Sequence, residues 1–433
     1  MKKVLIISYY WPPSSGAGVQ RWLKFSKYLR EFGWEPVIYT PENPEYPGYD
    51  HSLQKDIPEG ITVLKTKIWE PYLLYKIITG RKKHEKVQAG FISESKKPGL
   101  LEHMATWLRG NLFIPDARKF WIRPSVKFLS HWLRQNPVDA MVSTGPPHSM
   151  HLIALGLKKK LNTPWLADFR DPWTQIDFYD QLMLTKCADR KHKRLEKQVL
   201  KDADKVVTVS PNWAEDLKSL YEREIEVLTN GFDPEDFVNL PEFDYDTFSI
   251  THLGSLNADR NPHHLWKVLG QLVAENAFFK NKLTIRLIGK TDISVVEALE
   301  KNGLSAFVEK TDYLPHDQAL ARAAQSALLL LPINDTPNVM GITPGKLYEY
   351  LALKRPVLVI GPEDGDTAGI IYQTQSGTVC GFRNPDKMKD QLLKWANAFQ
   401  SQNLLCTSEG IDHFSRKELT RKMAGLIQQM CQP

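Results

Sequence analysis

The feature that most restricts the fold is a grammar of short apolar runs separated by longer amphipathic segments, and it runs through the chain twice. In the first half the runs are Val4–Tyr10, Pro36–Thr40, Ile61–Lys65, Ala140–Thr144, Trp165–Phe169, Lys205–Ser210 and Ile225–Leu228, bounded by Gly, Pro or Asp. Near-continuous β-branched and apolar runs read as strands buried on both faces, as in a parallel sheet covered by helices. Helical patterns lie between them, and in Val19–Phe32 the residues Trp22, Phe25, Leu29 and Phe32 fall on one side. The grammar restarts with Ser249–Leu253, Leu283–Ile288, Phe307–Glu309, Ala327–Leu331, Pro356–Ile360 and Thr378–Val379. Helices are expected over Asn261–Ala277, Ser294–Lys301, Asp317–Ser326 and Lys346–Leu353. The prediction is an α/β protein with two Rossmann-like domains facing across a cleft. The polar, aperiodic stretch Asn239–Asp246 is the expected linker, so the domains are set at 1–240 and 247–410, with 411–433 as a C-terminal helix. Ligands of open parallel sheets sit at the carboxyl ends of the strands, which predicts a site between the two domains.

Composition agrees. A chain of 433 residues exceeds one ordinary domain, and 42% hydrophobic with 24% charged residues excludes a disordered or collagen-like chain. The formal charge of +6 is mild and does not point to nucleic acid. The four cysteines (Cys187, Cys380, Cys406, Cys431) are widely spaced, which suits a reducing compartment and argues against a disulfide framework or structural zinc. After Met1-Lys2-Lys3 only a short apolar run precedes Trp11-Pro12-Pro13, unlike a secretory signal, and no run has the roughly 20 apolar residues of a membrane span. A cytoplasmic protein is expected.

Residues 67–137 fit neither half and are expected to form a helical insertion in the first domain. Between Lys76 and Lys97 lie seven Lys or Arg against two Glu, beside Tyr72, Leu73, Leu74, Tyr75, Ile77 and Ile78. Such a mixture suits peripheral contact with an anionic membrane at the inner face of the cell, or an anionic acceptor; the plain alternative is a solvated loop.

Five constellations carry chemistry. Ser14–Arg21 follows the first strand and precedes a helix, so Gly16 and Gly18 let backbone amides approach an anion. It is no dinucleotide fingerprint, because Gly16 lies well beyond the strand and Arg21 stands where the third Gly would be. His148 follows the stiff Gly145-Pro146-Pro147 turn at a strand end, where an imidazole donates to a hydroxyl or a developing charge; a structural His is the equal alternative. Asp168, Arg170 and Asp171 end the next strand and read as a site or an ion-pair brace. Gly254 to Arg260 opens the second half in the same position as the first loop, with Arg260 near a helix start. Gly345-Lys346 opens another helix, where amides and an ammonium suit phosphate, and Glu349 offers a carboxylate to a ribose diol or merely complements the helix dipole.

In this order the loops resemble those of the GT-B glycosyltransferases of family 4, over nearly the whole chain. The resemblance rests on Ser8-Tyr9-Tyr10-Trp11-Pro12-Pro13 through Gly18, Val207-Thr208-Val209-Ser210, Asn230-Gly231-Phe232-Asp233, and the helix from Lys346 with Glu349, Tyr350, Ala352, Pro356 and Val357. It implies transfer of a sugar from a nucleotide-diphosphate sugar, with retention, to a glycan or lipid-linked acceptor held by the N-terminal domain. His148, Arg260 and Lys346 are then the catalytic candidates. Donor binding is implied for Gly16, Gly18, Gly254, Arg260, Gly345, Lys346, Glu349, Lys310 and Asp312. Asp168, Arg170 and Asp171 match an acidic-x-Arg-Asp motif of members that build cell-surface polysaccharide, and are expected to meet acceptor or sugar. Neither a cofactor nor a metal is implied; Asp202-Ala203-Asp204, Asp244-Tyr245-Asp246 and Asp364-Gly365-Asp366 read as turns rather than metal motifs.

Two departures are visible. Many members carry a second Glu eight residues before Glu349, where this chain has Gly341, and an Arg after the first Gly of the second-domain loop, where it has Ser255. An epimerase on a similar scaffold and a non-catalytic nucleotide-sugar-binding module are the competing readings. The final helix, with Leu419, Met423, Leu426 and Ile427 on one face, is expected to brace the N-terminal domain.

Overall fold

A computed structural model describes residues 1–433 apart from 47, 72–99, 244, 405 and 433. The basic stretch from Lys76 to Lys97 therefore lies outside the described residues. The chain forms two compact units, Met1–Thr229 with Lys417–Pro433, and Asn230–Arg416.

The N-terminal unit holds a seven-stranded, all-parallel sheet of β1 (Lys2–Ile7), β2 (Trp34–Pro41), β3 (Thr62–Thr66), β4 (Ala140–Gly145), β5 (Trp165–Phe169), β6 (Lys205–Thr208) and β7 (Glu226–Val227). Its order is β3-β2-β1-β4-β5-β6-β7. The helices are α1 (Ala17–Tyr28), α2 (Leu100–Leu112), α3 (Lys119–Gln135), α4 (Ser149–Leu161), α5 (Lys186–Asp202) and α6 (Pro211–Leu220). Alternate residues of each strand serve opposite cores. Leu5, Ile7, Met141 and Ala167 pack with Trp121 of α3, Ile153 of α4, Val199 of α5 and Leu217 of α6. Val4, Ile6, Val142 and Leu166 pack instead with Trp22 and Phe25 of α1.

The C-terminal unit repeats the plan with six parallel strands: β8 (Phe248–Leu253), β9 (Leu283–Ile288), β10 (Val308–Thr311), β11 (Leu328–Pro332), β12 (Val357–Ile360) and β13 (Gly377–Cys380). The order is β10-β9-β8-β11-β12-β13. On one face lie α7 (His263–Glu275), α8 (Ala277–Lys282), α9 (Ile293–Lys301) and α13 (Pro385–Gln400), and on the other α10 (His316–Ala324), α11 (Gly345–Leu353) and α12 (Asp366–Thr374).

The thirteen expected strands are all present, β1 ending at Ile7 rather than Tyr10. The division falls elsewhere than expected. It lies at Thr229–Asn230, and the expected linker belongs to the C-terminal unit, because Leu240, Phe243 and Tyr245 pack on that unit's cores. Of the expected insertion, α3 packs into the sheet's own helical layer: Trp121 is buried and stacks on Tyr39 of β2 at 4.8 Å. The last helix, α14 (Arg416–Met430), places Leu419, Met423, Ala424 and Ile427 in the N-terminal core beside α1. Ile411 and Phe414, just before it, stay in the C-terminal core.

Candidate functional site

In each unit the strand order reverses at one point, where neighbouring loops diverge and leave room for a ligand at the carboxyl ends. In the N-terminal unit this point is β1/β4, and in the C-terminal unit β8/β11.

At β1/β4, Gly16 caps α1 with φ +96°, and no side chain caps the helix's first amides. Gly18 sits against Arg170: a Cβ there would lie 3.0 Å from Arg170 Nη1 and 3.1 Å from Tyr10. The Arg170 amide donates to Gly145 O at 3.0 Å and its guanidinium to Pro146 O, so the two loops are tied together. Asp171 is half-buried, and burial raises its carboxyl despite the nearby Arg170.

His148 is only 7% exposed and lies flat on Trp173, with ring centroids 4.9 Å apart. Burial, with His151 and Arg170 nearby, pushes its pKa well down, so the ring is neutral. His148 is thus a packed, neutral imidazole whose Nδ1 has no partner among the described residues. His151 beside it is pushed down to about 3 by burial and shares a hydrogen bond with Ser143 Oγ at 2.8 Å.

Asp168 departs from its expected role. Its carboxylate is wholly buried and accepts from Arg21 Nε at 3.1 Å, Arg21 Nη2 at 3.0 Å, Trp22 Nε1 at 2.7 Å and Thr144 Oγ1 at 3.0 Å. Burial alone would raise its pKa, but the Arg21 guanidinium and these donors outweigh burial and hold it below the usual range. With its lone pairs filled from within the fold it meets neither acceptor nor sugar. It is the brace that the strand-end cluster allowed as the alternative.

At β8/β11 the expected residues converge. Gly254 turns with φ +86°, its amide bonds Ile288 O at 2.7 Å, and a Cβ there would lie 3.2 Å from Lys346 Nζ. Lys346 donates to Leu253 O at 2.5 Å and lies 3.4 Å from His252 Nε2. Gly345 opens α11 after Pro344, with no side-chain cap on its amides. Burial, and then Arg260, push the Lys346 ammonium well below its ordinary pKa. Arg260 bridges the two loops by donating to Asn334 Oδ1 and to Ser255 O, the latter at 3.4 Å. Glu349 Oε1 accepts from His316 Nε2 at 2.9 Å. Burial opposes ionisation of Glu349, yet His316, Arg416 and Lys346 hold its pKa below the ordinary value. Lys310 and Asp312 stand apart from this cluster. Both are exposed, on and just after the edge strand β10, and neither side chain makes a hydrogen bond or ion pair among the described residues.

Residues 84–236 match the sequence model described as Glycosyltransferase Family 4. The chain is a GT-B-fold glycosyltransferase, similar over that stretch to family 4.

Solved structures agree in fold across essentially the whole length of this glycosyltransferase. A glycosyltransferase from Rickettsia africae ESF-5 is 15% identical with a TM-score of 0.65, over 99% of this chain and 98% of that one. WaaG, a glycosyltransferase involved in lipopolysaccharide biosynthesis, is 15% identical with a TM-score of 0.60, over 98% and 99%. Anabaena Alr3699/HepE, in complex with UDP and glucose, is 11% identical with a TM-score of 0.63, over 99% and 100%. No curated protein matches the chain by sequence. Among the described residues, no helix is long and apolar enough to cross a membrane.

Several residues of the glycosyltransferase's two clusters carried no sequence signal. His316, Asn334 and His252 reach Glu349, Arg260 and Lys346 through strand order rather than motif spacing. Arg21 did leave a trace, as the residue standing where a dinucleotide fingerprint needs Gly.

Proposed function

We propose that the chain transfers a sugar, with retention, from a nucleoside diphosphate sugar to a hydroxyl of a glycan or lipid-linked acceptor in cell-surface polysaccharide synthesis. One observation carries this reading: Lys346, the uncapped start of α11, Arg260 and the Glu349 carboxylate all gather around the β8/β11 reversal. A diphosphate asks for cations and N–H groups, and a ribose diol asks for a carboxylate. The family match supports sugar transfer. The fold shared with an Anabaena protein holding UDP and glucose supports a nucleotide sugar, and the fold shared with WaaG supports a surface glycan.

In this mechanism the bond between the anomeric carbon and the diphosphate oxygen breaks, and the diphosphate departs with the electron pair. Lys346, Arg260 and the α11 amides stabilise that growing charge. The diphosphate in turn adds to the counter-charge that Glu349 already gives the partly buried Lys346. The acceptor hydroxyl attacks from the leaving-group face, and the departing phosphate oxygen takes its proton, so the step needs no metal. On this reading Gly254 and Gly345 line the diphosphate, Lys310 and Asp312 border the base, and Arg170, Asp171 and Gly18 face acceptor or sugar.

The test is nucleoside diphosphate release from a panel of nucleotide sugars with glycan and lipid-linked acceptors. Arg260→Ala, Lys346→Ala and Glu349→Ala should each weaken donor binding by about tenfold or more. Unchanged donor affinity in both Arg260→Ala and Glu349→Ala removes the assignment. Interconversion of sugar epimers without diphosphate release would indicate an epimerase, and tight binding with neither outcome a binding module.

A further inference from the structure

His316 occupies a position that no motif marks. It is the first residue of α10, after Pro315, and no side chain caps that helix. Just upstream, Asp312 and Tyr313 are exposed in the loop that leaves edge strand β10, and Tyr313 is 58% exposed. Across from it, Glu349 lies on α11, which packs against α10. The two side chains are largely buried, 17% and 20% exposed, and His316 Nε2 stands 2.9 Å from Glu349 Oε1.

This pairing divides the carboxylate. Oε1 is turned toward His316, which fixes the rotation of the carboxyl group, and Oε2 is its second acceptor oxygen. A carboxylate fixed in this way is a demanding partner. It accepts from hydroxyl groups, and a ligand missing one of them leaves part of a partly buried anion unmatched. A site built to bond a hydroxyl therefore rejects an analogue that lacks it more strongly than an apolar pocket rejects an extra methylene.

Resting on the donor reading above, we propose that His316 is a positioning residue that sets Glu349 to read the intact ribose diol, so that the donor is a ribonucleoside diphosphate sugar and not a 2′-deoxyribonucleoside one. His316 also begins the helix that leaves the β10 loop, so the loop expected to border the base and the group expected to hold the ribose share one anchor. Without the imidazole, Glu349 keeps its charge but loses its fixed orientation, and the penalty for a missing hydroxyl falls.

The experiment compares equilibrium binding of UDP, GDP, ADP and CDP with that of the 2′-deoxy form of whichever binds most tightly. Inorganic pyrophosphate serves as the ribose-free probe. The proteins are wild type, His316→Ala, His316→Gln and Glu349→Gln, each first shown by its melting curve to be folded. Wild type should prefer the ribo form by about tenfold or more, equivalent to about 1.4 kcal/mol. His316→Ala should lose most of that preference and keep its pyrophosphate affinity. His316→Gln, whose amide can still donate to Oε1, should recover part of the preference.

Three results overturn the proposal: a wild type indifferent to the 2′-hydroxyl, His316→Ala with undiminished preference, or His316→Ala weakening pyrophosphate and nucleotide alike, which is the mark of a merely structural role. A separate result tests the donor reading beneath it. If Glu349→Gln discriminates as wild type does and binds nucleotide equally well, Glu349 is not the ribose ligand, and the assignment of the site fails rather than the role of His316.

Discussion

Arg21 and Asp168, separated by 147 positions in sequence, meet as a two-pronged ion pair with both side chains wholly shielded from solvent. Arg21 also donates to Thr229 O at 2.8 Å and to Leu228 O at 2.9 Å. One guanidinium thus ties α1 to β5 and to the segment that follows β7. The pair explains why the loop after β1 ends in Arg where a dinucleotide-binding loop would have Gly. The helix there docks by charge rather than by close backbone contact.

Deleting one partner should be costly, since it strands a charge in the core. Asp168→Ala is expected to destabilise the protein by about 3–5 kcal/mol. Denaturant unfolding at neutral pH checks this. A loss below about 1 kcal/mol, the range of exposed pairs, would show that the pair does not brace the unit.

A second prediction concerns pH. Glu196 is buried, accepts from Thr174 Oγ1 at 2.5 Å and from Thr174 N at 3.4 Å, and is pushed up to about 7, chiefly by burial. A carboxyl raised in the folded state binds its proton more tightly there than in the unfolded chain. Its stabilising contribution is complete below the unfolded pKa, near 4.5, and is lost as pH rises through about 7. The swing is about 3 kcal/mol. His148, His151 and His192 are all pushed down and give the opposite slope below their unfolded value near 6.5. The difference curve between wild type and Glu196→Gln therefore isolates the carboxyl. The Gln variant should gain on wild type between pH 5 and pH 8, and parallel curves over that range would contradict the assignment.

Gly254 gives a third prediction, with a built-in control. Its φ of +86° disfavours any side chain, and a Cβ would press on Lys346 Nζ at 3.2 Å. Gly303, in the same unit, has φ +71° and open space around it. Gly254→Ala and Gly303→Ala should each cost about 1 kcal/mol of stability. Only Gly254→Ala should also weaken nucleoside diphosphate binding, by about tenfold, because only there is the ammonium displaced. Equal affinity in the two variants would mean that Lys346 does not contact the diphosphate.

The sequence was most legible where burial is two-sided. β4 and β5 are covered on both faces, so their apolar runs announce strands without help from tertiary context. Lys346 and Glu349 were legible for a local reason, as neighbours on the first turns of one helix. Asp168 was misread, although the strand's period of two places it with Leu166 on the α1 face. A charge at a strand end looks like a site until the partner that buries it is known, and Arg21 is far away in sequence. The linker was misplaced because Asn239–Asp246 is polar on average, while Phe243 and Tyr245 anchor it to the C-terminal core. His316 and Asn334 could not have been found, since their partners reach them only through the order of the strands.

The last prediction concerns α14. Leu419, Met423 and Ile427 are nearly or wholly buried among Val4, Ile6, Trp22 and Phe25, so the end of the chain completes the core around its beginning. Removing residues 417–433 would bare one face of β1 and the flank of α1, and the melting temperature should fall. A deletion this large can also disturb folding for unrelated reasons, so a point variant carries the argument. Met423→Ala leaves a cavity in a packed core and should cost about 2–5 kcal/mol. Gln429→Ala, on the exposed side of the same helix, should change stability by about 0.5 kcal/mol or less. If Met423→Ala unfolds at the same denaturant concentration as Gln429→Ala, the helix is not part of the N-terminal core.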